Sequence, residues 1–123
     1  MALTLARAVE VLKAQAVVPG GDEQATVKGC FAADLMSDVL AFGREGSMLI
    51  TGLATDQAIR TAAIKHLVAV VIIEGKKVHS DLVETAREEG VPVYQTPLSK
   101  YEACGLLMLA GLRPYRKGAA LGE

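Results

Sequence analysis

The chain contains few of the residues that small proteins often use as anchors. Among its 123 residues there is no tryptophan, three tyrosines and two phenylalanines, although 51% are hydrophobic. Aliphatic side chains must therefore supply most of the apolar burial that drives folding. The two cysteines, Cys30 and Cys104, lie far apart and outside any Cys-x-x-Cys motif. We interpret them as buried, reduced thiols of a cytoplasmic protein, not as a disulfide or metal framework.

An excess of charge of one sign is also absent, since 13 basic and 14 acidic residues give a net charge of −1. Proteins that bind nucleic acid or membrane surfaces present basic faces, so this balance argues against both classes. No stretch approaches the roughly 20 apolar residues of a membrane-spanning helix. The first residues also lack the basic and apolar segments of a signal peptide. We expect a cytoplasmic protein without membrane or nucleic-acid partners.

The sequence shows no pattern that holds a metal or a cofactor. Neither His66 nor His79 has a second histidine or a cysteine at metal-ligand spacing. The segment Gly75-Lys76-Lys77 follows an apolar run but lacks the full glycine–lysine–serine/threonine pattern of a P-loop. We therefore predict no metal site, no cofactor, and neither kinase nor NTPase activity.

Apolar runs alternate with amphipathic stretches along the chain, which indicates strand–helix units and a mostly parallel sheet flanked by helices. The length is that of a single α/β domain. The predicted strands are residues 17–18, 26–31, 47–51, 67–73 and 91–95. The predicted helices are residues 3–15, a helix capped by Asp34 that ends before Gly43, residues 56–66 capped by Thr55, residues 81–89 capped by Ser80, and a last helix opened by the capping box Ser99-x-x-Glu102.

The last helix is apolar on every side between Cys104 and Ala110. A helix of this kind must be covered all round. The sheet can cover one side, and a second copy of the chain is the simplest cover for the other, because large exposed apolar patches mark interfaces. The sequence therefore predicts a homodimer formed partly through this helix.

Hydroxyl residues and glycine gather where strands end and helices begin. In an open parallel sheet, ligands bind at the carboxyl ends of the strands, beside the free N–H groups of helix starts. The candidate residues for a small anionic or nucleotide ligand are Thr51, Gly52, Thr55, Asp56, Gln57, Thr96 and Ser99. Ordinary helix capping is the alternative interpretation of the same residues.

A secondary candidate set consists of Asp34, Ser37 and Asp38. The two carboxylates lie four residues apart on one predicted helical face, with the serine between them. Paired carboxylates can perform acid–base chemistry, which leaves a small enzyme as one hypothesis. Acidic residues in a first helical turn also cap the helix and complement its dipole, and this alternative remains open.

Several segments together resemble the DRTGG domain family. The resemblance extends from about Leu5 to Leu112, although the name-giving string Asp-Arg-Thr-Gly-Gly does not occur. The segments that carry it are Asp34-Leu35-Met36-Ser37-Asp38-Val39-Leu40, Met48-Leu49-Ile50-Thr51, residues 56–63, residues 68–73, Glu89-Gly90-Val91-Pro92-Val93 and Thr96-Pro97.

The resemblance implies a DRTGG-like α/β domain over residues 1–112, related in fold to the N-terminal domain of HPr kinase/phosphorylase. Residues 113–123 would form a flexible tail. In larger relatives this domain is an accessory regulatory module, so we expect a non-catalytic, ligand-sensing homodimer. The alternatives are a protein-interaction module that docks on a hydrogenase or signalling complex, and the small enzyme using Asp34 and Asp38.

Overall fold

The computed structural model describes residues 3–112, and the predicted tail at 113–123 lies outside the described residues. Within that range five strands and five helices follow one another along the chain. The strands are β1 (Gln15–Val18), β2 (Gly29–Ala32), β3 (Ser47–Thr51), β4 (Ala69–Ile72) and β5 (Val93–Gln95). The helices are α1 (Leu5–Val11), α2 (Met36–Phe42), α3 (Asp56–Ile64), α4 (Ser80–Glu89) and α5 (Lys100–Leu109).

The strands form one sheet in the order β1-β5-β4-β3-β2. The pairs β2–β3, β3–β4 and β4–β5 are parallel. Strand β1, at one edge of the sheet, pairs antiparallel with β5. Crossover helices connect the parallel strands, which explains the alternation of apolar and amphipathic segments. The predicted mostly parallel sheet flanked by helices is confirmed.

Apolar side chains of the central strands point alternately to the two faces of the sheet, and each face has its own helix layer. Every residue of β3 and β4 is buried. Helices α1 and α5 pack with Met48, Ile50, Ala69, Val71 and Tyr94 on one face. Helices α2, α3 and α4 pack with Leu49, Val70, Ile72 and Val93 on the other.

The ends of some elements differ from the sequence prediction. Helix α1 ends at Val11, short of the predicted residue 15, because Lys13 adopts a left-handed conformation with φ 54° and Gln15 enters β1. The prediction that Ser80 caps α4 is wrong, because His79 takes that position without a side-chain hydrogen bond. The capping box of Ser99 and Glu102 is confirmed.

The predicted cap at Asp34 is also wrong. Leu35 occupies the N-cap position of α2 and makes no side-chain cap bond. Thr55 does occupy the N-cap position of α3, but its hydroxyl makes no cap bond either. The oxygen atoms of Asp34 instead accept hydrogen bonds from the end of β3. Long-range partners therefore outweigh local capping at this position.

Within residues 3–112, no helix has both the length and the apolar character needed to cross a lipid bilayer.

The hydroxyl of Thr96 joins α1 to the end of β5. Thr96 is fully buried, and its Oγ1 donates to the carbonyl oxygen of Leu12 at 2.6 Å. We expect Thr96→Val to lower the free energy of unfolding by about 1–3 kcal/mol, because the buried carbonyl loses its donor. Urea denaturation followed by circular dichroism measures this loss.

Thr61→Val is the matched control for Thr96→Val. The Thr61 hydroxyl donates at 2.9 Å to the carbonyl of Gln57 within its own helix, a bond that stabilises helices little. The control should lose clearly less stability. Equal losses in the two variants would contradict the bridging role of Thr96.

Candidate ligand site at the strand ends

Five residues from four chain segments meet at the carboxyl edge of the parallel strands. Asp34 follows β2, Thr51 and Gly52 lie at the end of β3, Lys76 follows β4, and Lys100 opens α5. Strands β2, β3 and β4 are parallel neighbours, so their carboxyl ends lie side by side. We call these five residues the Asp34 cluster.

The carboxylate of Asp34 is the centre of this cluster. Its Oδ1 accepts from the Thr51 hydroxyl at 3.0 Å and from the Gly52 backbone N–H at 2.8 Å. Its Oδ2 pairs with the Lys100 ammonium group at 3.0 Å. The Gly52 N–H lowers the pKa of Asp34 most, and Lys100 and Thr51 lower it further. Asp34 is therefore held ionised by donors from β3 and α5.

Two charged side chains contact the backbone of Gly52, one at its N–H and one at its carbonyl. The Lys76 ammonium group donates to the Gly52 carbonyl at 3.3 Å, while the Gly52 N–H donates to Asp34. A Cβ atom at position 52 would lie 3.0 Å from the Lys76 Nζ and 3.6 Å from the Asp34 Oδ1. A side chain there would press on the Lys76 ammonium group, which would have to shift, and would only touch Asp34, so glycine allows Lys76 its present position.

A shallow depression lies along the same edge, towards β1. It has a volume of about 280 Å³, and its lining consists of Lys13, Gln15, Gly75, Gln95, Thr96 and Pro97. The side-chain amide of Gln95 donates to the carbonyl of Lys76, which connects the depression to the Asp34 cluster. The edge thus combines polar backbone, lysine ammonium groups and room for a small molecule.

The structure brings together residues that the sequence assigned to separate candidate sets. Asp34 came from the secondary set, and Thr51 and Gly52 from the primary one, yet they are hydrogen-bonded to each other. Two other primary candidates use their hydroxyls within the chain. Thr96 bonds Leu12, and the Ser99 side chain accepts from the N–H of Glu102 at 3.1 Å.

The remaining candidates lie at helix starts. Thr55 and Gln57 are exposed at the beginning of α3, and Asp56 pairs with Arg60 at 3.3 Å. Ser37 and Asp38 are exposed in the first turn of α2. The oxygen atoms of Asp34 face β3 and α5 instead of this turn, so the predicted carboxylate pair does not act as one unit.

Sequence reasoning did not single out Lys76 or Lys100 as site residues. Lys76 belongs to the segment that lacks the P-loop pattern, and Lys100 simply follows the capping serine. One signal was available, because a lysine in the first helical turn is opposed by the helix dipole and needs another source of stabilisation. Asp34 supplies it for Lys100.

Among residues 3–112, no group of three histidine, cysteine, aspartate or glutamate side chains lies close enough together to hold a metal ion.

The contacts of Asp34 predict a pH dependence of stability. Its folded pKa is lowered, below the value of about 3.9 of an unperturbed aspartate. Its contribution is therefore fully present above the unfolded pKa and is lost as the pH falls through the folded pKa. NMR titration of the Asp34 carboxyl carbon should give a value below about 3.9.

Lys100→Met should raise the pKa of Asp34, because it removes the paired ammonium group. Lys28→Met is the control: Lys28 directly precedes β2, at the opposite end of the strands, so the pKa of Asp34 should not change. A native pKa at or above that of a free aspartate would contradict these contacts.

Comparison with known proteins identifies the family of the chain. The DRTGG domain pattern matches residues 7–110. A solved structure, the CBS and DRTGG domains of the regulatory region of Clostridium perfringens pyrophosphatase complexed with its activator diadenosine tetraphosphate, has a similar fold. The TM-score is 0.68 at 16% sequence identity, and the match covers 85% of this chain and 45% of that chain.

At this identity the solved structure supports the fold alone, and the chain spans less than half of that regulatory region. A search of curated proteins gave no match. The family pattern covers most of the chain, including all five residues of the Asp34 cluster. The resemblance noted from the sequence is thereby confirmed: the chain belongs to the DRTGG domain family.

Proposed function

We propose that this DRTGG domain is a non-catalytic regulatory module that binds a small anionic ligand of the nucleotide type at the Asp34 cluster. The observation that carries the proposal is the placement of Lys76 and Lys100 around the accessible Gly52 peptide, at the edge where parallel sheets bind ligands. The regulatory region of the pyrophosphatase, which contains a DRTGG domain, was solved with a dinucleotide activator. That complex is the reason for proposing a nucleotide as the ligand class.

The cluster offers the two kinds of group that a nucleotide needs. The ammonium groups of Lys76 and Lys100 attract phosphate oxygens, and the Asp34 carboxylate can accept hydrogen bonds from ribose hydroxyls. The side chains of Lys100 and Asp34 are 37% and 54% exposed. Because solvent screens this exposed ion pair, Lys100 can bind a phosphate group on the side away from Asp34, which keeps its bonds to Thr51 and Gly52.

The same contacts argue against the small-enzyme hypothesis. Donors from Gly52, Lys100 and Thr51 hold the pKa of Asp34 low, and a general base is most effective when its pKa lies near the working pH. Asp38 lies apart in the first turn of α2. The proposed role of the edge is therefore binding.

Thermal unfolding with adenine nucleotides tests the proposal. A ligand at 100 times its Kd should stabilise the native chain by about 2.7 kcal/mol and raise its Tm. The series should include AMP, ADP, ATP and diadenosine tetraphosphate. Lys76→Met and Lys100→Met should each weaken binding about tenfold or more, because each removes a charge-assisted hydrogen bond.

Lys28→Met is the matched control, since it removes the same charge at the opposite edge of the sheet. It should leave the affinity within about twofold of the native chain's, because charges separated by more than a Debye length are largely screened. No Tm shift across the series, or equal weakening by all three variants, would contradict the proposed site.

We also propose that two copies of the chain associate through α5. Its buried residues are Ala103 and Leu107, whereas Tyr101, Met108 and Leu109 are 89%, 65% and 86% exposed. These three residues and Gly105, at helical spacing, form what we call the apolar face of α5. Exposed apolar area of this kind favours association.

Solution mass tests the dimer. Sedimentation equilibrium at micromolar concentration should give twice the chain mass. Gly105→Glu should give monomers, because it places a charge within the apolar face. Apart from its chain neighbours and its own helix backbone, its Cβ would meet no atom of residues 3–112 within 4 Å. Ala41→Glu, which adds the same charge at an exposed position of α2, should remain dimeric. A native monomer at this concentration would contradict the dimer.

The apolar face of α5 also favours the second candidate function, docking on a larger enzyme or signalling complex. That function needs no nucleotide site. It would be preferred if the native chain were monomeric and no nucleotide shifted its Tm.

A further inference from the structure

The two cysteines meet in the folded chain, although the sequence separates them widely. Cys30 is the second residue of the edge strand β2, and Cys104 lies in the middle of α5. Helix α5 packs against β2 and β3, and Cys30 packs against the core cluster that contains Ala103 and Leu107, one on each side of Cys104 in α5. The two thiols lie close enough to shift each other's pKa. Neither cysteine is fully buried. The pair therefore forms a contact between two different elements at the border of the sheet.

The surroundings make the two thiols unequal. The hydrogen bond from Cys30, together with the positive charge of Lys100 one turn earlier, lowers the pKa of Cys104 to about 7. The hydrogen bond to Cys104 and burial raise the pKa of Cys30. Near neutral pH, Cys104 thus carries the thiolate, and Cys30 remains protonated as its donor. A purely structural cysteine is buried in apolar surroundings, away from a cation.

We propose that Cys30 and Cys104 form a redox site, in which a hydroperoxide oxidises Cys104 and Cys30 then closes a reversible disulfide within the chain. From the sequence both residues were interpreted as buried, reduced thiols, and their proximity in the fold is what adds a redox role. Both thiols are free in this structure, so closing the disulfide requires the sulfur atoms to approach to about 2.05 Å.

The chemistry balances in two steps. The Cys104 thiolate attacks one peroxide oxygen, the O–O bond breaks, and the products are a sulfenic acid and an alkoxide or hydroxide that takes a proton from water. The Cys30 sulfur then attacks the Cys104 sulfur, the S–OH bond breaks, and the Cys30 proton leaves with the hydroxide as water. Two thiols and one hydroperoxide give one disulfide, one water and one alcohol, or a second water from hydrogen peroxide.

The disulfide would join the two elements that carry the Asp34–Lys100 ion pair. Asp34 follows β2 closely, and Lys100 is the first residue of α5. Oxidation would fix α5 against β2 and remove the thiolate beside Lys100, leaving that ammonium group with Asp34 or a ligand. This link to ligand binding rests on the proposed function, whereas the thiol chemistry does not.

The test treats the reduced full chain with one to ten equivalents of hydrogen peroxide, followed by denaturation, alkylation and intact mass measurement. We expect a loss of two hydrogen atoms, no alkylation, and a peptide in which Cys30 is joined to Cys104. Dithiothreitol should restore two alkylatable thiols. The readout needs no nucleotide, so its outcome is independent of the ligand proposal.

Single variants assign the two roles. Cys30→Ser should accumulate a dimedone-reactive sulfenic acid at Cys104, because no resolving thiol remains. Cys104→Ser should react with peroxide at least about tenfold more slowly, because the remaining thiol, Cys30, is almost entirely protonated. Two free thiols after treatment of the native chain, oxidation of Cys104 beyond sulfenic acid with Cys30 unchanged, or disulfides only between chains would each overturn the proposal.

Discussion

The carboxyl edge of this sheet depends on one carboxylate that accepts donors from two different elements. Asp34 joins the end of β3, through Thr51 and Gly52, to the start of α5, through Lys100. Strand ends and helix starts leave polar groups that need partners. Asp34 is the common partner of the Thr51 hydroxyl, the Gly52 N–H and the Lys100 ammonium group. Because Gly52 has no side chain, the Lys76 ammonium group can lie close to it without a clash.

Helix α5 carries residues of all three proposals. Its first residue, Lys100, takes part in the Asp34 cluster, its middle carries Cys104, and its outer side presents the apolar face. A ligand, an oxidant and a second subunit would therefore act on one rigid element. Under the functions proposed above, coupling among them requires only small movements of α5 against β2, since a packed helix moves as a unit.

The sequence predicted the fold well where local pattern and tertiary burial agree. The bounds of β3 were correct because all its residues are buried, and the capping box of Ser99 and Glu102 is a local signal. Asp34 was interpreted as a helix cap from its local position. Its actual hydrogen-bond partners, Thr51 and Gly52, lie 17 and 18 residues further along the chain, where a local pattern cannot show them. The contact between Cys30 and Cys104 depends on packing of the last helix against the edge strand, which no local spacing encodes.

NMR titration of the native, isotopically labelled chain with an adenine nucleotide tests the central claim most directly. The Gly52 amide proton reports on the Asp34 carboxylate to which it donates. If the strand-end edge is the ligand site, the largest shifts should occur at Gly52 and at the turns holding Lys76 and Lys100. Saturable binding that leaves these resonances unchanged, with shifts confined to the opposite end of the sheet, would contradict the account.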